Sequence, residues 1–493
     1  MIETVVFLSG GVVMVLELAA SRVIAPYLGT SLFVWTSLIG MILGSLSLGY
    51  YLGGRLADLR PEPKTLSAVL ASASASIALI PLIQAPILSA LVPSISDLRF
   101  RALAAAALFV IPSTLLGIVS PFAARLKVKA VAHSGRTVGG LYALSTLGSI
   151  SGTFAAGFWL IPAAGSTRLL FLLALVLLVC SLLAAPRAVP FLKIGVLIFA
   201  AISASFSLET PPSLAAGELV LDLDTAYQRL LVFDLPVENR QPVRILSMGF
   251  EEYHSAMLLD APDELPLGYT QFFRLAPALH PDLRRALVIG GGALSYPRDL
   301  LRHSPATRID VVELDPAVTQ VARDYFGFRD DPRIAIHHED GRTYLNRSGP
   351  SYDAVFLDVF YGRTVPFHLA TLESARRIAD RLSPGGMLVI NFMSALEGPG
   401  SDLFRAEYAT LKRVFPQVLV FPVHAPNDAR IVQNQVLLAV LSSDPLQAPR
   451  GDALRYWRHL WRSPILSDLA EMTDDRAPVE LYASRQAAAP AVH

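Results

Sequence analysis

The sequence of 493 residues holds one cysteine, Cys180. That excludes a disulfide framework and a cysteine metal cluster. Its apolar surroundings mark it as packed or lipid-facing. Basic blocks are missing and the pI is about 7.2, so nucleic acid is not an expected partner. No Ser sits in a nucleophile-elbow motif, so His254-Ser255 does not read as hydrolase chemistry. His337-His338 lacks further ligands at matching spacing, so no metal is expected. Charge is also scarce at the start of the chain. Residues 1–208 carry 13 Lys/Arg and 5 Asp/Glu, leaving 28 of the 41 basic and 36 of the 41 acidic residues to 209–493. The first part is thus about 9% charged (18 of 208) and the second about 22% (64 of 285). Soluble domains average about 25%. A single soluble globule is excluded.

What fills the first 208 residues is apolar. A helix crossing ~30 Å of hydrocarbon needs ~20 apolar residues, and 4–28, 32–54, 66–93, 102–124, 138–163 and 167–185 qualify. The opening stretch lacks the basic start of a cleaved signal and carries Glu17. A seventh stretch, 194–208, has 15 uncharged residues, a length between a span and an interfacial segment. The loops on one side carry Arg55, Arg60, Lys64, Arg125, Lys127, Lys129, Arg136, Arg187 and Lys193. The other side carries Arg22, Arg99, Arg101 and Arg168. That excess puts the N-terminus in the cytosol, and six spans would leave residue 209 onward cytosolic. Small residues at four-residue spacing, Gly40/Gly44, Gly49/Gly53 and Gly148/Gly152/Ala156, predict close helix packing. Glu17, costly inside a span, reads equally as part of a cavity or proton path and as a hydrogen-bond anchor to another helix.

Pro211-Pro212 marks a linker. Residues 218–223, 229–235, 243–248 and 255–260 are short and β-rich, which predicts a small antiparallel sheet. Strands then alternate with helices. Residues 285–289 run into Gly290-Gly291-Gly292 and a helix to about 303. Residues 308–313 precede a helix opened by Asp315-Pro316. Residues 333–337 end near Asp340, and 352–357 end at Asp358. A helix over 371–381, a turn at 383–386 and a strand over 387–392 follow. This alternation predicts a mostly parallel sheet covered on both faces, with ligands at the carboxyl ends of its strands. Three glycines after the first strand let backbone approach a ligand, and Glu313, about 20 residues on, suits ribose hydroxyls. The run Gly290-Gly291-Gly292-Ala293-Leu294-Ser295 does not match the dinucleotide fingerprint. An adenosyl-sulfonium ligand is therefore expected over a hydride carrier.

Five stretches carry a resemblance. They are Ala286-Leu287-Val288-Ile289-Gly290-Gly291-Gly292, Val311-Val312-Glu313-Leu314-Asp315-Pro316, Glu339-Asp340-Gly341-Arg342, Tyr352-Asp353-Ala354-Val355-Phe356-Leu357-Asp358 and Leu382-Ser383-Pro384-Gly385-Gly386. With Tyr227-Gln228, they make residues 217–442 similar to the spermidine synthase (polyamine aminopropyltransferase) family. Gly53-Gly54-Arg55-Leu56-Ala57-Asp58, Gly139-Gly140-Leu141-Tyr142 and the tail Thr473–Glu480 resemble its membrane-fused branch.

The resemblance implies transfer of an aminopropyl group from decarboxylated S-adenosylmethionine to an amine, with no tightly bound cofactor. It implies Glu313 on ribose, Asp340 and Gly341 at adenine, Gln228 and the glycines on the donor, Asp358 as general base and Tyr269 on the acceptor side. The chain departs from the family at Ala293, where an acid is usual, and at Tyr361, where a second acceptor-binding Asp is usual. Asp474 and Asp475 are candidates to replace those acids.

The expected fold is an α-helical membrane bundle (1–208) fused to an α/β Rossmann-like, class I methyltransferase-like domain (281–445). A small β-rich part (209–280) precedes that domain and a helical tail (446–493) follows. The expected partners are a small-molecule amine, the lipid bilayer and, as an open alternative to a monomer, a second copy of the chain. Two other readings stay open. Ala293 would not repel the carboxylate of intact S-adenosylmethionine, so methyl or aminocarboxypropyl transfer to another acceptor is one. A transporter or sensor whose adenosyl domain only binds is the other.

Overall fold

The computed structural model describes residues 1–28, 31–95, 97–128, 134–188, 190, 193, 217–237, 242–248, 253–360 and 365–486. The expectations for 194–208, for the Pro211-Pro212 linker and for Tyr361 lie outside the described residues. The described residues group into two compact units. One holds the N-terminal helices together with Asp222–Leu230, the other the remainder from Leu231 onward with the strand residues up to Leu221.

The first unit is built from α1 (Ile2–Leu28), α2 (Leu32–Leu59), α3 (Pro63–Ser94), α4 (Leu98–Ala106), α5 (Val110–Lys127), α6 (Ser134–Ala155) and α7 (Ile161–Ala184). Among the described residues, five stretches are long and apolar enough to cross a membrane: Ile2–Ala25, Leu32–Leu59, Pro63–Leu88, Arg99–Lys127 and Ala163–Ala184. The fifth expected span, 138–163, is helical through α6, the turn Ala156–Leu160 and the start of α7, up to a break at Gly165 (φ 71°), but it is not among the five. The reason lies in its packing. Its inward face is glycine, and a Cβ at Gly148 would fall 1.9 Å from the Phe7 carbonyl oxygen, one at Gly152 2.5 Å from that of Gly11. Those residues dilute its hydropathy, while Leu147, Ile150 and Phe154 stay exposed on its outer side.

Gly49 and Gly53 do the same for α2 on α5, with Thr114 O and Ile118 Cα at 2.2 and 2.7 Å from their ideal Cβ positions. Gly40 and Gly44 do not: nothing lies within 4 Å of either. Four-residue spacing reports a permissive stripe, not whether a neighbour uses it. Buried hydroxyls join α3 to α7, where Ser67 meets Ser181 at 2.9 Å and Ser74 donates to the Ala174 carbonyl at 2.6 Å.

Four strands, β1 (Glu218–Asp224), β2 (Arg229–Leu235), β3 (Val243–Ser247) and β4 (Ser255–Leu258), form a sheet in sequence order. A seven-stranded sheet follows: β5 (Arg285–Ile289), β6 (Arg308–Val312), β7 (Ile334–His337), β8 (Tyr352–Leu357), β9 (Leu382–Ser394), β10 (Gln417–Pro422) and β11 (Gln433–Val440). Its order is β10-β11-β9-β8-β5-β6-β7. Strands β5 to β9 pair in parallel and β11 and β10 close one edge antiparallel.

The continuous apolar runs have a simple cause, since the central strands β5, β6, β8 and β9 are buried on both faces. In β8, Val355 and Leu357 join one core while Ala354 and Phe356 join the other. In β9, Leu388 and Ile390 face the first and Met387 and Val389 the second. The chain thus has a helical bundle of apolar helices, a small antiparallel sheet and a Rossmann-like α/β domain.

Candidate active site

The strand order reverses beside β5, and the loops after β5, β6, β7 and β8 hold the expected residues. Where β5 ends, Gly290 has φ +94°, and a Cβ there would meet the Asp358 carbonyl oxygen at 2.1 Å. Only glycine fits both the conformation and the space. Gly292 has φ +49°, and its Cβ would lie 2.5 Å from Ser255 Oγ. Leu294 also takes a left-handed conformation, φ 55°, which costs a non-glycine residue about 1–3 kcal/mol. Its side chain is buried in the core beside Tyr296 and Val311, which offsets that strain. Helix Ser295–His303 follows.

Glu313, after β6, folds back on this loop. Its Oε2 accepts from the Gly291 and Gly292 N–H groups at 3.0 and 3.3 Å, and its Oε1 from Asp315 N–H at 3.1 Å. Burial raises its pKa and these three hydrogen bonds partly oppose it. Oε2 thus uses both its acceptor sites, and Oε1 keeps one for a further donor. Asp315 caps the next helix by accepting from Ala317 N–H at 2.9 Å.

Asp340, after β7, is the N-cap of helix Gly341–Asn346, with Oδ1 accepting from Thr343 N–H at 2.9 Å. Its Oδ2 lies 3.0 Å from His368 Nε2. Burial pushes its pKa up, but the Thr343 and His368 hydrogen bonds outweigh this and hold it low. Gly341 packs on the end of β5, where its Cβ would lie 2.6 Å from Ile289 Cγ2.

Asp358, after β8, receives two side-chain donors. Asn391 Nδ2, from β9, donates to its Oδ1 at 3.0 Å, and the Tyr269 hydroxyl donates as well. Burial raises its pKa to about 6, against the lowering effect of these two hydrogen bonds. Its residue surface stays partly open, although protein crowds the carboxyl group. Tyr269 is buried. That burial and the Asp358 charge hold its pKa well above 10, so it remains a phenol that donates. The amide of Asn391 is fixed in turn by Asn434 Nδ2 on β11, which donates to Asn391 Oδ1 at 2.9 Å.

The structure brings Gly290, Gly291, Gly292, Glu313, Gly341 and Asp358 to one edge of the sheet, with Tyr269 on Asp358. Gln228 lies in the turn Thr225–Gln228, where Gln228 N–H donates to Thr225 Oγ1 at 3.0 Å. That turn groups with the first unit. Asp474 is engaged elsewhere: its Oδ2 pairs with Arg342 at 2.7 Å and its Oδ1 accepts from Thr371 Oγ1 at 2.6 Å. Asp475 is exposed in the same turn. Ala293 is buried, and its N–H donates to Ser255 Oγ at 3.0 Å. His337 and His338 have separate partners, Asp310 and Thr319.

Ser255, Asn391, Asn434 and His368 were not expected here. Asn391 had a signal, an amide inside the apolar run Leu388–Phe392, because a buried polar group needs a partner. The others act across 28 to 43 residues of sequence and left none.

The sequence profile of the spermine/spermidine synthase domain matches residues 272–431. A polyamine aminopropyltransferase from Vibrio vulnificus is 30% identical over 259 residues, spanning 51% of this chain and 81% of that protein. One from Lachnoclostridium phytofermentans is 25% identical over 219 residues, 44% of this chain and 74% of its own. The solved structure of a probable spermidine synthase from Corynebacterium glutamicum is 22% identical, with a TM-score of 0.41 over 57% of this chain and 97% of that one. The chain belongs to the spermine/spermidine synthase (polyamine aminopropyltransferase) family.

Proposed function

We propose that the protein is a membrane-anchored aminopropyltransferase, with decarboxylated S-adenosylmethionine as donor and a small amine as acceptor. The observation that carries this reading is the Asp358 carboxyl at the mouth of the glycine loop, held by Tyr269 and Asn391. A sulfonium is already a good electrophile, whereas an ammonium acceptor is no nucleophile until it loses a proton. With a pKa of about 6, Asp358 is ionised at neutral pH and basic enough to take that proton as the amine attacks. The new C–N bond forms as the C–S bond breaks, and the electron pair leaves on sulfur as methylthioadenosine.

Glu313 would hold the ribose and Asp340 the adenine. Fixing donor and acceptor in line supplies several kcal/mol of the barrier lowering. The second half of the chain carries an excess of eight acids over bases (36 against 28), which draws in a cationic amine.

One observation favours a second donor. Ala293 is buried beside the loop with its N–H on Ser255, so no carboxylate there repels the carboxylate of intact S-adenosylmethionine. The deciding experiment is calorimetry on the full-length protein in detergent micelles, with both donors and methylthioadenosine. Tighter binding of the decarboxylated donor, followed by methylthioadenosine release with an amine, supports aminopropyl transfer. Tighter binding of the intact donor would replace that reading with methyl or aminocarboxypropyl transfer.

A further inference from the structure

We infer that His368 is a positioning residue for adenine recognition, acting through Asp340; this rests on the assignment of Asp340 to the adenine. Asp340 has two oxygens and two partner residues: Thr343, through its N–H and its hydroxyl, and His368. Thr343 N–H holds Oδ1 at 2.9 Å and His368 Nε2 holds Oδ2 at 3.0 Å. The first is a helix cap and fixes one end of the carboxylate. With the Thr343 hydroxyl, the contacts other than His368 all come from one residue. The second contact fixes the plane, so the free lone pairs point in one direction, as recognition of a flat heterocycle requires.

His368 is itself held firmly. It sits in the short helical turn Phe367–Leu369. Its carbonyl accepts from Arg342 Nη1 at 2.9 Å, and Arg342 follows Gly341 in sequence and pairs with Asp474 at 2.7 Å. Leu369 packs on Gly341, within 3.5 Å of its ideal Cβ position. The Phe367 ring stands edge-on to the imidazole at 5.4 Å. The turn carrying His368 is therefore docked on the start of the helix that Asp340 caps. The charged groups facing the imidazole from these elements are Asp340 and Arg342, with Asp474 behind Arg342.

Each fixed acceptor on Asp340 suits the exocyclic N6–H2 donor of adenine and disfavours the O6 acceptor of hypoxanthine. The test compares methylthioadenosine with methylthioinosine on the full-length protein in detergent. The wild type should prefer the adenine ligand, and Asp340→Ala should abolish that preference. If the wild type shows no preference, the Asp340 assignment fails and the inference fails with it.

If the preference exists and depends on Asp340, His368→Phe should weaken methylthioadenosine binding about tenfold. It should leave methylthioinosine binding unchanged, and His368→Gln, whose Nε2 reaches the same place, should restore the preference. An unaltered preference in folded His368→Phe overturns the inference. Equal losses for both ligands overturn it too, because they indicate only structural damage. Should His368→Phe not fold, His368→Gln and the shorter His368→Asn carry the same comparison. A preference kept by both then counts against the inference.

Discussion

Asp358 holds a charge in a place that resists it, and both its usefulness and its cost follow. Its folded pKa of about 6 stands above the ordinary 3.8. Between those values the folded protein binds more protons than the unfolded chain, so Asp358 reduces stability as pH rises from 4 to 6. Asp358→Asn should lower turnover by about 10²–10⁴-fold while leaving the thermal midpoint at pH 7.5 unchanged or higher. Loss of folding in that variant would contradict the assigned cost. The hydrogen bond from Asn391 favours the charged form. Asn391→Ala should therefore move the acidic limb of the kcat/KM profile to higher pH, by about one unit. A profile that stays in place would mean that the limb belongs to another group.

Glu407 is a second buried acid, but it has no such task. Burial raises its pKa to about 8, and its Oε2 has no hydrogen-bond partner among the described residues. Between the ordinary 4.5 and about 8 the folded protein binds more protons than the unfolded chain, so stability falls as pH rises across that window. Glu407→Gln should match the wild type in melting temperature at pH 4 and exceed it increasingly from pH 5 to pH 8.

Strands and helices were legible in the sequence to different depths, and packing explains the difference. The four short strands before residue 260 and the strands opening at 285, 308 and 352 were readable because apolar runs bounded by turn residues have few alternatives. Strand β9 begins at Leu382, over the stretch expected as a turn, and extends to Ser394, beyond the expected end at residue 392, because its second part pairs with β11, from Met387 with Val440 to Ser394 with Gln433. Pairing with a strand 40 residues away leaves no local mark. The glycine stripes were legible as stripes, and only the neighbours distinguish them.

That distinction is measurable in the intact protein. Gly148→Ala drives a methyl group into the Phe7 carbonyl, whereas Gly40→Ala meets open space. The first should lower the melting temperature in detergent markedly. The second should leave it unchanged or raise it slightly, since alanine gains up to about 1 kcal/mol over glycine within a helix. Equal effects would mean that α6 does not pack on α1 as described.

At the scale of the whole molecule, the loop charges and the packing of the bundle agree on which helix ends lie together. Glu3 pairs with Lys127, and Asp58 pairs with Arg125 at 3.2 Å. The start of α1, the end of α2 and the end of α5 therefore share one end of the bundle. Ser67, near the start of α3, meets Ser181, near the end of α7, which brings the chain back to that same end. Leu141 clusters with Val6 while Gly152 meets Gly11, so α6 climbs beside α1 in the same direction.

This end carries Arg55, Arg60, Lys64, Arg125, Lys127, Arg136 and Arg187, and the loop-charge rule predicts that it faces the cytosol. The lone buried Cys180 makes the sidedness easy to read in a Cys180→Ser background. An impermeant thiol reagent on intact cells should spare Pro61→Cys, in the loop after α2, and modify Phe100→Cys, at the start of α4. The reverse pattern would invert the bundle. Arg329→Cys, exposed in the catalytic half, then counts the crossings between Ala185 and Gly217. Behaviour like Pro61→Cys means an even number, and behaviour like Phe100→Cys an odd one.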